Sequence, residues 1–397
     1  MDIRIFPGKL QGNIDAIPSK SQAHRLLICS AFADKETSLI CPDTNRDIEA
    51  TAGCLRSLGA DILRTDRGYR VKPIMKLPKT AMLNCEESGS TLRFLLPIAG
   101  ALGVDATFQM AGRLPCRPLS PLWEEMERMG CQLSRPTETT IRCCRKLQCG
   151  EFQIDGGVSS QFITGLLFAC ALMDGTSHIS VTGKLESKPY VDMTLDAMAR
   201  FGRYTKDFTV SGGSFISPGE ITVEGDWSNA AFFLGAKALG SDISVGSLNI
   251  ESSQGDMACA KLFNQLEGNI LVACGDIPDL VPILSVVAAA KCGATFTNIR
   301  RLRLKESDRV ASVIALLSAF GCRATATEDT LTVLPGNFMG GTVDACGDHR
   351  IAMSAAIAAT IAQAPVTILG AECVSKSYPT FWDEYKRLGG QYELNIR

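Results

Sequence analysis

The stretch SSQFITGLLFACALMDGTSHISVTGKLESKPYVDMTLDAMARFG, residues 159–202, holds the grammar by which the whole chain can be parsed. Its apolar run through Leu166, Leu167 and Phe168 reads as a helix ending near Asp174-Gly175. Ile179-Ser180-Val181-Thr182 then alternates as a strand, and a second helix runs from Val191 to Phe201 until Gly202 stops it. The same order recurs around Thr107-Phe108-Gln109-Met110 and Ala294-Thr295-Phe296-Thr297, each after a small-residue helix and before a basic loop. Further out, apolar-faced second helices close on glycine at Leu55–Ala60, Met126–Cys131, Met198–Gly202, Leu262–Gly268, Leu316–Gly321 and Tyr385–Gly389. The first helices begin near Arg25, Arg93, Gln161 and Asn229, each 68 residues from the last, and again near Asp279 and Arg350. A fixed period marks internal repetition, so the chain reads as six copies of one helix, strand, loop and helix.

At 397 residues the chain exceeds one comfortable core, and three repeats in each of two domains is the simplest partition. The piece Ser211-Gly212-Gly213-Ser214 marks a crossing, after which a new unit is expected at Ile221-Thr222-Val223-Glu224-Gly225-Asp226. A strand at Ile3-Arg4-Ile5 can belong with the C-terminal half, which requires a double crossing. With that double crossing the expected domains are 1–18 with 223–397 and, inserted, 19–222, hinged near Pro18 and Glu224; the sequence pattern by itself leaves a single crossing open as the alternative. A formal charge of -2, from 40 basic and 42 acidic residues, argues against general attraction to nucleic acid or anionic membrane. Any anion binding must therefore be local. Sixteen dispersed cysteines, in a chain starting Met-Asp-Ile-Arg with no apolar signal stretch, fit free thiols in a reducing cytoplasm. Cys143, Cys144 and Cys149 lack the paired spacing and nearby histidine of a metal site, so no metal is expected. The weakly polar stretch from Ile351 to Val366 is too short to span a bilayer.

Hydroxyls and cations gather where helices start. Ser19-Lys20-Ser21-Gln22-Ala23-His24-Arg25 offers hydroxyls, backbone N–H groups and positive charge, the ingredients of an anion site, although a serine cap with solvated Lys20 and Arg25 reads the same. In Glu86-Glu87-Ser88-Gly89-Ser90-Thr91-Leu92-Arg93 the glycine would let an oxyanion approach the backbone, or the run only caps. Arg113 and Arg117 lie among prolines in the next loop, Ser159-Ser160-Gln161 supplies neutral donors, and Ser187-Lys188-Pro189-Tyr190 occupies the matching loop after its strand. Further on, Arg300 to Arg309 mixes five cations with two acids across a strand-to-helix junction. Asp276 and Asp279 flank Ile277-Pro278, where an acid caps a helix or serves as a base. Asp348-His349-Arg350 opens an alanine-rich helix, and Lys376 follows Cys373-Val374-Ser375. Lys20, Arg25, Arg93, Arg117, Lys305, Arg309, Arg350 and Lys376 recur at equivalent junctions of different repeats. If the repeats point one end of each domain at the other, these cations converge on a cleft that binds small polyanions.

Taken in order, S-K-S-Q-A-H-R, S-G-S-T-L-R, V-S-S-Q-F, S-K-P-Y, E-G-D-W-S-N-A, I-P-D, L-K-E-S-D-R, D-H-R-I-A-M and K-S-Y-P resemble the motifs of the 5-enolpyruvylshikimate-3-phosphate synthase family. The resemblance implies an α+β protein, a two-domain inside-out α/β barrel with three β-α-β-α-β-β repeats per domain. It implies a reaction that adds the 5-hydroxyl of shikimate 3-phosphate to C2 of phosphoenolpyruvate and eliminates phosphate, without cofactor or metal, in a monomer. By the matched motifs Ser21, Arg25, Ser159, Ser160, Ser187, Tyr190, Asp279 and Lys305 would hold shikimate 3-phosphate. Gly89, Arg93, Arg117, Arg309, Arg350 and Lys376 would hold phosphoenolpyruvate, and Lys20 and Gln161 would touch both. Asp279, Glu306, Lys20 and Lys376 would carry the proton traffic, with closure of the halves excluding water. Gly89 leaves room beside phosphoenolpyruvate, which in this family goes with inhibition by glyphosate. The chain departs from the family where Pro18 meets Ser19 directly, at Glu87 in place of the asparagine of N-A-G-T, and at Arg301, where an asparagine is sometimes found. Two rivals remain: the UDP-N-acetylglucosamine enolpyruvyl transferase, whose loop cysteine has its one tempting counterpart here in Cys116, and a non-catalytic repeat protein that binds phosphorylated ligands.

Overall fold

The computed structural model describes residues 1–268 and 270–395. The chain divides into two compact units, Met1–Ile17 with Glu224–Arg397, and an inserted unit, Pro18–Val223. Each crossing lies one residue from the expected one; Val223 N donates to Ile40 O at 2.9 Å and so stays with the inserted unit.

The chain opens with β1 (Asp2–Phe6) and β2 (Gln11–Asp15). The first inserted repeat is α1 (Lys20–Ala31), β3 (Thr37–Ile40), α2 (Arg46–Ser57), β4 (Asp61–Thr65) and β5 (Gly68–Lys72). The second is β6 (Thr80–Asn84), α3 (Gly89–Leu102), β7 (Asp105–Gln109), α4 (Leu122–Arg128), β8 (Gln132–Thr137) and β9 (Thr140–Cys144). The third is β10 (Glu151–Asp155), α5 (Ser160–Leu172), β11 (Thr176–Thr182), α6 (Lys188–Arg200) and β12 (Thr209–Ser211), followed by β13 (Glu220–Thr222). The other unit continues with α7 (Trp227–Ala238), β14 (Asp242–Gly246) and α8 (Cys259–Gln265). It then runs through β15 (Ile270–Ala273), α9 (Val281–Ala290), β16 (Ala294–Thr297), α10 (Arg309–Ala319), β17 (Ala324–Ala326) and β18 (Thr330–Val333). The last repeat is β19 (Gly341–Asp344), α11 (His349–Ala359), β20 (Val366–Leu369), α12 (Phe381–Arg387) and β21 (Gln391–Asn395).

Among the described residues the strands form six sheets, three in each unit. In β6-β7-β9-β8 the first pair is parallel, which requires a crossover helix, and the rest are antiparallel; β15-β16-β18-β17 repeats this order. Elsewhere a strand arrives from a distant part of the chain. β1 lies between β20 and β21, with Ile3 opposite both Ile368 and Leu394. β13 pairs with β3, Ile221 opposite Leu39. The strand at Ile221 thus completes the first inserted repeat and does not open a new one, because alternation marks a strand but not the sheet it joins. Two sheets are shorter than the full repeat, β10-β11-β12 and β14-β2.

The most apolar helices are covered on every side because their sequences allow nothing else. All residues of α11 are buried, as are all of α9 except Ala290, while β10 alternates exposed and buried positions. A helix apolar on every side must be covered on every side, and a half-polar sheet can be the cover. α3 and α5 touch most closely at Gly165, where a Cβ would stand 2.2 Å from Arg93 O. That carbonyl is the one Pro97, inside α3, has no N–H to reach. Each unit holds its own hydrophobic core.

Candidate active site

In the inserted unit α1, α3 and α5 are each capped by the serine before them. Ser19 Oγ accepts from Gln22 N at 3.4 Å, Ser88 Oγ from Thr91 N at 3.3 Å and Ser159 Oγ from Gln161 N at 3.3 Å. Each cap satisfies one amide of a first turn whose others remain suited to an anion. Arg25 is held by three neutral oxygens, donating from Nη1 to Ser21 O (2.6 Å), from Nη2 to Tyr190 O (2.7 Å) and from Nε to Thr194 Oγ1 (2.8 Å). Its guanidinium carbon lies 5.1 Å from the Phe94 ring centroid. Burial lowers its pKa to about 10, so it remains charged at neutral pH.

Arg93 donates to Gln161 Oε1 (3.2 Å) and Pro118 O (3.1 Å), and Gln161 Nε2 donates to Ser90 Oγ (2.9 Å), tying the starts of α3 and α5 together. Gly89 is where the cations meet: a Cβ there would lie 2.6 Å from Arg93 Nη1 and 2.8 Å from Arg117 Nη1. Two guanidinium groups therefore overhang the amide end of α3, and a side chain at Gly89 would have to displace them. Lys20 Nζ pairs with Asp47 Oδ2 at 2.9 Å. Ser187, with φ of 55°, immediately precedes α6, and Ser160 is buried at the start of α5.

The other unit gathers charge differently. Arg309, 1% exposed, opens α10 behind the cap Asp308 and donates from Nε to Asp348 Oδ2 (2.7 Å), from Nη1 to Asp279 Oδ1 (2.6 Å) and from Nη2 to Glu306 Oε2 (2.7 Å). Asp279 Oδ2 also accepts from Arg350 Nη2 at 3.0 Å, and Lys305 Nζ stands 3.5 Å from its Oδ1. Burial alone would push the Asp279 pKa up, but Arg350, Lys305 and Arg309 outweigh it and hold the carboxyl well below its usual range. Burial pushes the Lys305 pKa down against the opposing pull of Asp279. Asp348 caps α11, accepting from Arg350 N at 3.0 Å and from Ser307 Oγ at 3.2 Å. Asp256 is a buried carboxyl whose pKa is pushed up to about 6 by burial and by the charge of Asp279, against Arg350. Arg301 donates to Gly275 O at 2.7 Å, and Lys376, buried, ends the short turn Ala371–Lys376. Fixed guanidinium charges hold anions, and a carboxylate and an ammonium sharing one network can move protons.

The family description EPSP synthase (3-phosphoshikimate 1-carboxyvinyltransferase) matches residues 6–273 and 269–385. The chain belongs to the EPSP synthase family. Among curated proteins of that activity, the 3-phosphoshikimate 1-carboxyvinyltransferase of Clostridium botulinum is 37% identical, with 99% of each chain covered. That of Clostridium perfringens is 38% identical, covering 97% of this chain and 98% of the relative. A solved EPSP synthase from Acinetobacter baumannii superposes with a TM-score of 0.81 at 24% identity, over 99% of this chain and 100% of that one. The enolpyruvyl transferase NikO from Streptomyces tendae gives 0.76 at 16% identity over 99% and 98%. At those identities the structures speak for a shared fold.

The motifs that resemble the EPSP synthase family fall into bonded sets. Arg25 joins Tyr190; Arg93 joins Gln161, with Gly89 and Arg117 adjacent; Asp279, Lys305, Glu306, Arg309 and Arg350 form one network. Sequence reasoning did not assign roles to Asp47, Asp256 or Asp348. Asp348 was visible only as a helix opener, and Asp47, in the first turn of α2, reads like any acid near a helix start. No helix among the described residues is long and apolar enough to cross a membrane.

Proposed function

We propose that the protein transfers the enolpyruvyl group of phosphoenolpyruvate to the 5-hydroxyl of shikimate 3-phosphate, releasing phosphate and forming 5-enolpyruvylshikimate 3-phosphate on the route to chorismate and the aromatic amino acids. The observation that carries this is full-length likeness at 37% identity to 3-phosphoshikimate 1-carboxyvinyltransferases. The coupled acids Asp279 and Glu306 support it, since binding alone calls for no acid or base.

In this assignment Ser21, Arg25, Ser159, Ser160, Gln161, Ser187, Tyr190 and Lys305 hold shikimate 3-phosphate. Gly89, Arg93, Arg117, Gln161, Arg309, Arg350 and Lys376 hold phosphoenolpyruvate, and Lys20 serves both. The 5-oxygen forms a bond to C2 as its proton passes to a base, for which Asp279, ionised at any working pH, is assigned. C3 takes a proton from Glu306 or Lys20, with Lys376 sharing the traffic, to give a tetrahedral intermediate. The C2–O bond to phosphate then breaks as C3 returns a proton, restoring the double bond. Fixed guanidinium charge stabilises the phosphate as it leaves. Glyphosate is assigned to the space over Gly89, and the enzyme to the cytoplasm as a monomer.

Phosphate release is the test, with phosphoenolpyruvate and either shikimate 3-phosphate or UDP-N-acetylglucosamine. Release only with the shikimate acceptor is expected. Release only with the sugar nucleotide would transfer the assignment to that enzyme, and none with either would leave a binding protein.

A further inference from the structure

One buried chain of polar groups lies behind the substrate residues and is absorbed by none of the roles above. His24, fully buried, places Nδ1 2.7 Å from Thr51 Oγ1, which lies 2.7 Å from Thr91 Oγ1, and Thr91 Oγ1 donates to Ser88 Oγ at 2.8 Å. The chain thus crosses from α1 through α2 to the cap of α3. Its proton order can be deduced. His24 Nε2 is buried with no hydrogen-bond partner among the described residues, so a proton there would be an orphaned donor. The proton therefore sits on Nδ1 and is donated to Thr51. Thr51 then gives its proton to Thr91, and Thr91 gives its own to Ser88, which also accepts from Thr91 N. With two bonds accepted, the Ser88 hydroxyl is left as a donor. Burial keeps the ring neutral, its pKa lowered to about 3, so this order survives across working pH.

We infer that His24 is a positioning residue for phosphoenolpyruvate, acting through Thr51 and Thr91 to fix the Ser88 cap and with it the first turn of α3 beneath Arg93 and Arg117. The inference rests on the enolpyruvyl-transfer reading. A plain packing role would respond to shape; this role responds to the Nδ1 donor. Asparagine keeps a donor near the Nδ1 position, whereas leucine keeps bulk and loses it.

The test compares His24→Asn, His24→Leu, Thr51→Val and the double variant His24→Leu with Thr51→Val. Expected is a rise of about tenfold in KM for phosphoenolpyruvate in His24→Leu and in Thr51→Val, no further rise in the double variant, and KM for shikimate 3-phosphate unchanged. His24→Asn should restore wild-type values. Equal effects on both KM values, additive losses in the double variant, or an asparagine variant as impaired as the leucine one would overturn the proposal. Nitrogen-15 NMR of the wild-type histidines separates the two readings. A neutral Nδ1–H ring at position 24 in a protein without turnover would refute the function and leave the chain standing. An Nε2–H ring in an active enzyme would refute the chain alone.

Discussion

Arg25 and Arg309 are both buried arginines near the start of a helix, and they are held in opposite ways. Arg25 donates to two carbonyls and a hydroxyl, and burial drags its pKa down to about 10. Arg309 donates to three carboxylates, which outweigh its burial and raise its pKa well above the usual value. Neutral partners leave the charge of Arg25 uncancelled and available to an anion. Carboxylate partners balance part of the charge of Arg309 within the network, and its cations keep Asp279 ionised next to Lys305. One repeated framework thus holds Arg25 against neutral oxygens in one unit and Arg309 within a network of opposite charges in the other.

Breaking each arginine should separate the two modes most strongly. Arg309→Met leaves three acids without their shared cation, so urea unfolding should show a loss of about 3–5 kcal/mol together with loss of turnover. Arg25→Met leaves only neutral acceptors unpaired, and the loss should be about 1–3 kcal/mol, with the main effect on KM for shikimate 3-phosphate. Equal destabilisation by both would dissolve the distinction. Next in size, Gly89→Ala places a methyl where Arg93 and Arg117 come within 3 Å, and KM for phosphoenolpyruvate should rise by about 10- to 100-fold with glyphosate inhibition weakened in parallel. Unchanged kinetics would move the anion away from α3.

Acid stability sharpens the same contrast. The His24 ring titrates near 3 in the fold against 6.5 when free, so between those values the unfolded chain takes a proton that the fold refuses. Stability from this residue is complete above about pH 6.5 and is lost as pH falls, at about 1.4 kcal/mol per pH unit. Asp279, held low by cations, contributes in the same sense at lower pH, its share lost progressively below the ordinary value of 3.8 and gone once its own folded pKa is passed. His24→Asn should flatten the loss between pH 6.5 and 4 in urea titrations; an unaltered slope would place the ring in contact with water. The smallest effect belongs to a cap. Ser159→Ala should cost about 1 kcal/mol in α5, read by thermal melting.

The repeat was legible because its signals are local: helix faces, glycine stops and a recurrent spacing survive in one dimension. Several of the motif-bearing cations were legible for the same reason, Lys20, Arg309 and Arg350 standing in the first turn of a helix. What the chain could not display was partnership. Ile221 reads as a strand, but only the folded sheet shows it beside Leu39. Lys20 was visible while Asp47, 27 residues on, was not. Asp348 looked like the cap of α11, which it is, yet its second oxygen also receives Arg309 from another repeat. Of the acids around Arg309, Asp279 and Glu306 were named through the motifs, and only Asp348 was hidden, because a carboxylate at a helix start has an ordinary explanation in sequence.

The division of labour between the units is tested most directly by solvent deuterium. In D2O, with both substrates, deuterium should enter the methylene of the product at a rate that falls by about a hundredfold or more in Glu306→Gln while KM for phosphoenolpyruvate stays near wild type. Arg117→Lys should do the reverse, weakening phosphoenolpyruvate binding with little change in the rate of deuterium entry at saturation. Deuterium entering Glu306→Gln at the wild-type rate would contradict the assignment of proton transfer to the carboxylate network around Arg309.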